Sequence, residues 1–295
     1  MFIDIHVHMR RHQTCLRNGK ATYATPEQII NRYDELGIEK GVILRGGVSP
    51  ECELQGQSME EVLEICGRYP DRFIPFCNID PRFMTNSPDA PLDEMISYYK
   101  EQGSKGIGEF CPNMPFLHPM VQNFFKKAEK VGGMPITFHI APFIGGAYGL
   151  YDEPGLPQLE WTLKKFPNLY FLGHSTVFWA EIAQLETPGD RFLYPSTPVK
   201  NEGVIPRLFR RYKNLLGDLS AGSGFYALSR DTDYAVKFLT EFQDRLLFGT
   251  DICEPDTEVP LVDFLINLRD EGKITEEVFR KVARENAVRL LGLEE

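Results

Sequence analysis

Histidine is scarce in this sequence, with six in 295 residues. Positive charge is also short: 32 Lys and Arg stand against 42 Asp and Glu, a formal charge of −10. That balance argues against broad electrostatic binding to nucleic acid. No run approaches the roughly 20 apolar residues a membrane span needs, so no membrane partner is expected. The opening Met-Phe-Ile-Asp-Ile-His-Val-His lacks a basic stretch followed by an apolar one and does not read as a secretory signal. The cysteines at 15, 52, 66, 77, 111 and 253 contain no C-x-x-C pair, so neither a zinc ribbon nor a thiol redox motif is suggested. Reduced, mostly buried thiols in a cytoplasmic protein are expected, with Cys111 and Cys253 close to candidate site residues. No Gly/Ser- or Pro-rich linker divides the chain, so a single domain over residues 1–295 is expected.

What is present is a repeat of short β-rich runs and longer helical patterns. The runs are Phe2–His8, Lys40–Arg45, Phe73–Ile79, Lys105–Phe110, Pro135–Ile140, Leu169–His174, Asn214–Ser220 and Arg245–Asp251. Their starts are spaced far enough apart for a strand, a helix and two loops. Thr25-Pro26 opens the first helix as N-cap and first helical residue, and Gly37 closes it. Further helices fit Ser58–Tyr69, Asp93–Gln102, Pro119–Val131, Gly155–Phe166, Asp231–Phe242, Val259–Arg269 and Thr275–Leu291. Alternation of this kind implies a parallel sheet. Eight evenly spaced strands predict an α/β fold, a closed (β/α)8 TIM barrel with its active site at the C-terminal ends of the strands. An open doubly wound sheet is second, because no G-x-G-x-x-G follows the first strand. The irregular stretches Ala141–Pro154 and Glu186–Gly203 follow strand ends and would lie over the active face as lids or as plain insertions.

Most of the scarce histidines fall at strand ends. His6 and His8 point to one side of the first strand, as positions two apart do. Phe2 and Asp4 share that side, while Ile3, Ile5 and Val7 share the other. The histidines are therefore expected inside the barrel and the apolar set under the helices, with Asp4 a deeper structural group. Converging imidazoles make half a metal site, although an H-x-H can also be structural. His139, His174 and Asp251 end the fifth, sixth and eighth runs, and Glu109 closes the fourth. Glu109 reads as a bridging ligand, a substrate contact or a supporting acid. His118 precedes Pro119 and suits a helix cap, while His12 lies in a loop.

At these residues the sequence resembles the amidohydrolase superfamily, in its amidohydrolase-related branch. The resemblance spans nearly the full chain. It includes Ile-Asp-Ile-His-Val-His, Arg72–Phe76 with Asp80-Pro81-Arg82, Leu247–Asp251, Glu285-Asn286-Ala287 and Arg289–Leu293. It implies that His6, His8 and Asp251 bind one metal. In two-metal members, His139 and His174 would bind a second, with Glu109 as the bridge. In one-metal members the His139 position joins the first metal and His174 acts in catalysis. Decarboxylases of aminocarboxymuconate semialdehyde are among those members. They lack a regular carboxylate ligand at the fourth strand, so Glu109 favours two metals.

Imidazoles and carboxylates suit Zn²⁺, and also Mn²⁺ or Fe²⁺, at one or two ions per chain. A bound cation brings the pKa of its water from about 15.7 to as low as about 7. Asp251 would then take the proton of the attacking hydroxide and return it to the leaving group. The expected activity is hydrolysis of a small ester, lactone, amide or phosphoester. The alternative is non-oxidative decarboxylation of a small unsaturated or aromatic acid. Arg10, Arg45, Asn78, Arg82, Tyr148 and Ser220 lie at or beyond strand ends as candidate substrate contacts. An arginine there could grip a carboxylate or phosphate, or be tied up in a salt bridge. The expected partner is a small-molecule substrate, and a homodimer is the oligomer to test for.

Overall fold

A computed structural model of the chain describes residues 1–45, 56–145 and 148–294. Eight parallel strands form its centre: β1 Phe2–Val7, β2 Ile38–Ile43, β3 Phe73–Cys77, β4 Gly106–Phe110, β5 Ile136–Ala141, β6 Phe171–His174, β7 Leu215–Asp218 and β8 Leu246–Leu247. Each pairs with its neighbour in chain order. The seam between last and first is closed by the Ile5 N–H on the Phe248 carbonyl (3.0 Å) and the His8 N–H on that of Ile252 (2.9 Å). The Asp251 N–H donates to the His6 carbonyl at 2.8 Å across the same seam. This is the expected TIM barrel.

The expected helices form with ends shifted by one or two residues. Thr25 caps Pro26–Leu36 in a capping box with Gln28, and Gly37 ends that helix at φ +69°. His118 caps Pro119–Lys130 by accepting the Met120 N–H. The last helix is interrupted by a π turn at Lys281–Glu285. Helices Thr176–Ala180, Val204–Arg211 and Ala221–Ser229 were not expected. Pro206 sits in the first turn of one, where the missing N–H is harmless. Gly222 and Gly224 lower the intrinsic helical preference of another.

The expected facing of β1 needs correction. Ile3 and Ile5 pack with Ile74, Phe76, Leu172, Leu216 and Leu247, which come from strands around the barrel. They are therefore interior, and Ala287, Val288 and Leu291 of the last helix pack on that layer. Phe2 instead stacks outward against Phe248 and Phe279. Asp4 points outward too, toward the Tyr33 hydroxyl of the first helix at 2.5 Å. The register then shifts between Asp4 and Val7. That irregularity breaks the period of two and turns His6 inward beyond Ile5. Asp4 holds it in place by accepting the His6 N–H (2.9 Å), the Thr250 N–H (2.9 Å) and the Thr250 hydroxyl (2.6 Å). Burial pushes the Asp4 carboxyl up to about 6 in spite of these donors. It is the structural polar group expected.

The two irregular stretches meet over the C-terminal end. Phe143 of the first and Phe192 of the second have ring centroids 6.0 Å apart. The first contains a short strand, Gly149–Tyr151, and the second a 3-10 turn, Pro188–Phe192. No described helix is long and apolar enough to cross a membrane. Cys66 and Cys77 are buried free thiols, while Cys52 lies outside the described residues.

Candidate metal centre and active site

The strand ends bring six ligand-type side chains together. His6 and His8 come from β1, Glu109 from β4, His139 from β5, His174 from β6, and Asp251 from the turn after β8. His6 Nε2 is 3.0 Å from His8 Nε2, and Asp251 Oδ1 is 3.4 and 3.3 Å from those two atoms. Tetrahedral bonds of about 2.0–2.1 Å separate neighbouring donors by roughly 3.3 Å, so these three atoms already have the spacing of ligands around one cation. Their far sides are anchored. His6 Nδ1 bonds Asp218 Oδ2 at 2.7 Å and His8 Nδ1 bonds the Leu44 carbonyl at 2.9 Å. A ring whose Nδ1–H is given away offers its Nε2 lone pair to a cation. The donor set fits a divalent ion such as Zn²⁺, Mn²⁺ or Fe²⁺.

Glu109, His139 and His174 form a second trio. Glu109 Oε1 lies 3.8 Å from His174 Nε2, and Oε2 lies 3.7 Å from His8 Nε2. Glu109 thus spans the gap between the two trios. Its contact with His139 Nδ1 is different: at 2.7 Å it is a hydrogen bond, too close for two ligands of one ion.

The charges follow from this crowding. Burial lowers the His6 imidazole, but Asp251, Asp218 and Glu109 outweigh it and raise it to about 10. Burial and the neighbouring His6 bring His174 down to about 4. Against the penalty of burial, His6 and the other imidazoles hold Asp251 down to about 2. Glu109 also stays well below the usual carboxylate range despite burial, with His139 the main cause. Three carboxylates kept charged around neutral and cationic imidazoles make a pocket suited to added positive charge.

Sequence reasoning missed Asp218 as a site residue. It is fully buried beneath His6, and its backbone carbonyl accepts the Trp179 indole N–H at 2.8 Å. A signal was present, because it is a carboxylate at the end of β7, where the other ligand-type residues sit on their own strands. Gly249 leaves it room: a Cβ there would lie 2.7 Å from both Asp218 Oδ1 and the Ser220 side chain. Tyr23 was missed as well. Its ring lies 6.5 Å from that of His8.

The candidate substrate contacts divide. Tyr148 packs on the site, its ring 4.5 Å from that of His139. The residue is 48% exposed as a whole, yet desolvation of its hydroxyl, with Glu109 and Asp251 nearby, pushes that group up. Ser220 lies beneath the histidines, not toward the mouth, with Oγ 2.9 Å from His174 Nδ1. The arginines engage the protein. Arg10 bonds Glu61 at 3.0 Å, Arg82 clasps Asp80 with two bonds of 2.6 Å, and Arg45 donates to the carbonyls of Gln57 and Asn78. Asn78 donates to the carbonyls of Arg45 and Glu109, tying three strand ends together. His12 is exposed.

A family model described as Amidohydrolase matches residues 3–293. The chain belongs to the amidohydrolase family. Solved structures of similar fold cover nearly all of it. A probable 2-pyrone-4,6-dicarboxylic acid hydrolase from Acinetobacter baumannii, with citric acid bound, is 15% identical, with a TM-score of 0.60 over 99% of each chain. The 5-carboxyvanillate decarboxylase of Sphingomonas paucimobilis is 15% identical, with a TM-score of 0.64 over 99% of each chain. An amidohydrolase from Burkholderia multivorans with bound zinc is 13% identical, with a TM-score of 0.62 over all of both chains. No curated protein matches the sequence. Both hydrolases and decarboxylases thus share the family's barrel, and the reaction has to be argued from the site.

Proposed function

We propose that this chain is a cation-dependent hydrolase of a small ester, lactone, amide or phosphoester. The observation that carries this reading is the divided carboxylate of Asp251. Its backbone takes the left-handed turn at φ +56°, a conformation Asp tolerates. Oδ1 faces His6 and His8, while Oδ2 lies 3.8 Å from His174 Nε2. The side chain is 23% exposed, against 8% or less for His6, His8, Glu109 and His174. Asp251 therefore sets one oxygen against His6 and His8 and the other beside His174, on the most exposed side chain of these five.

Zinc, with manganese or iron as chemical alternatives, would be held by His6, His8 and Asp251 and would supply Lewis acidity and an acidified water. The chain's own groups do the rest. Asp251 Oδ2 takes a proton from the attacking water and returns it to the leaving group. His174 is neutral and lies beside that oxygen, so it can polarise or orient the substrate. Tyr148 offers a hydroxyl donor over His139.

Decarboxylation is the second reading. The bond between Glu109 and His139 favours it, because it removes that pair from shared ligation and leaves a one-ion centre. Against it stands the engagement of Arg10, Arg45 and Arg82 with protein partners, since a substrate carboxylate needs a cation to hold it. The deciding experiment loads the full chain with Zn²⁺ and offers lactones, esters, phosphoesters and aromatic acids. Acid release without CO₂ supports hydrolysis. CO₂ release from an aromatic or unsaturated acid, with no turnover of esters or lactones, overturns it.

A further inference from the structure

We propose that the cavity under the second irregular stretch is a binding site for a small organic carboxylate, with Arg230 as its anchor. The cavity measures about 760 Å³, within the range of small-ligand pockets. It lies between the end of the helix Thr176–Ala180, the segment 183–201, and Arg230 at the close of the helix Ala221–Ser229. None of the six ligand-type residues lines it, so the inference does not rest on the cation-site reading.

The walls of this cavity are anchored along their length. The Gln184 N–H donates to the Asn201 carbonyl at 3.0 Å and closes the neck of the segment. Asp190 forms a capping box with Thr187, accepting its N–H at 3.0 Å and its hydroxyl at 2.9 Å. Tyr194 stacks on Tyr226 with ring centroids 5.1 Å apart. The Val199 N–H donates to Asp231 Oδ2 at 3.0 Å. The segment is thus held at both ends and in the middle, and the space beneath it is preformed.

Arg230 gives the site its chemistry. Among the arginines whose side chains are described, it alone has no hydrogen bond or ion pair on its guanidinium. Its Nε is buried without an acceptor. Arg32, Arg72 and Arg191 also leave a buried nitrogen unbonded, but each has a carboxylate within ion-pair reach. A buried donor without an acceptor is costly and calls for a partner. The neighbouring charges do not supply one. Asp190 and Asp231 act on Arg230 electrostatically, yet their oxygens accept the donors named above and the N–H groups of Glu186 and Tyr234. Lys200 is engaged with Glu186 at 3.3 Å. A carboxylate offers a guanidinium two coplanar oxygens. Ser196, Thr197 and Asn201 add neutral polar groups, and Leu185, Pro195 and Pro198 form an apolar wall for a hydrocarbon part. With two aspartates close by, a singly charged ligand fits better than a doubly charged phosphate.

The test uses the full chain, with and without added Zn²⁺, as wild type, Arg230→Gln and Arg230→Lys. Circular dichroism and thermal melts establish that each variant folds. Benzoate, the uncharged benzamide and inorganic phosphate are titrated while NMR follows the Arg230 Nε–H signal and calorimetry gives the affinities. Either variant assigns that signal, because both delete it, and the wild-type titration decides alone if Arg230→Gln does not fold. The expected result is a saturable shift with benzoate, a smaller one with phosphate and none with benzamide. Arg230→Gln should weaken benzoate binding on the order of 10- to 100-fold, the scale of lost hydrogen bonds to a charged group, and Arg230→Lys less. An Arg230 signal that benzoate leaves unmoved overturns the proposal. So does an equal shift with benzamide, the mark of a plain apolar pocket. Tighter binding of phosphate overturns the choice of a carboxylate. Equal benzoate affinity in wild type and Arg230→Gln places the anion elsewhere on the chain and also overturns the proposal.

Discussion

The two halves of the centre are built differently. In the half made by His6, His8 and Asp251, the three facing atoms are 3.0–3.4 Å apart and each imidazole is pinned from behind. In the half made by Glu109, His139 and His174, one pair is bonded at 2.7 Å while another stands at 3.8 Å. The first half is preorganised, because its rings cannot turn without breaking buried bonds to Asp218 and Leu44. The second half satisfies itself internally and must exchange a hydrogen bond for a ligand bond. Donors already held near ligand spacing lose less freedom on binding, although the first half must still give up the proton shared between His6 and His8 at 3.0 Å. The first half should therefore bind its ion first and more tightly, and the second half should depend on it.

That contrast can be broken in four ways. The largest effect is expected from Asp251→Asn, which removes the proton acceptor yet keeps the shape. Turnover of the zinc-loaded enzyme should fall on the order of 10²- to 10⁴-fold, the scale of a lost general acid–base, with an unchanged circular dichroism spectrum. Near wild-type kcat would remove Asp251 from the chemistry. Next comes the pair His8→Ala and His139→Ala, compared by zinc titration. Loss of His8 should abolish the tight equivalent, whereas loss of His139 should spare it. Equal losses would erase the distinction between the halves. Third, Glu109→Ala should lower bound metal from more than one equivalent to one, as read by elemental analysis. Smallest is Tyr148→Phe, which deletes one hydroxyl over His139. A lost hydrogen bond of about 0.5–1.5 kcal/mol should shift kcat/KM roughly 2- to 10-fold and leave zinc binding alone.

The same contrast runs through what the sequence made legible. The barrel could be read because each strand is a β-rich run at a regular interval, and because helix caps such as Thr25 and His118 act locally. All six ligand-type residues could be named because strand ends in a barrel converge whatever the loops do. What could not be read depends on contacts distant in sequence. The facing of Ile3, Ile5 and Asp4 turns on a register shift against β2, which no alternation rule contains. Asp218 is separated from His6 by more than two hundred residues, and its role exists only once the seam beside Gly249 has closed. The arginines looked like substrate clamps because their types and places suited it. Their protein partners, Glu61 and Asp80 among them, became visible only in three dimensions.

The central claim is a centre whose first half is ready for a cation and whose second half follows. Zinc titration of the metal-free wild-type chain beside Glu109→Ala tests it most directly. The account predicts two separable binding steps in the wild type and only the tighter one in the variant. A single equivalent in both proteins, bound with the same affinity, would contradict it.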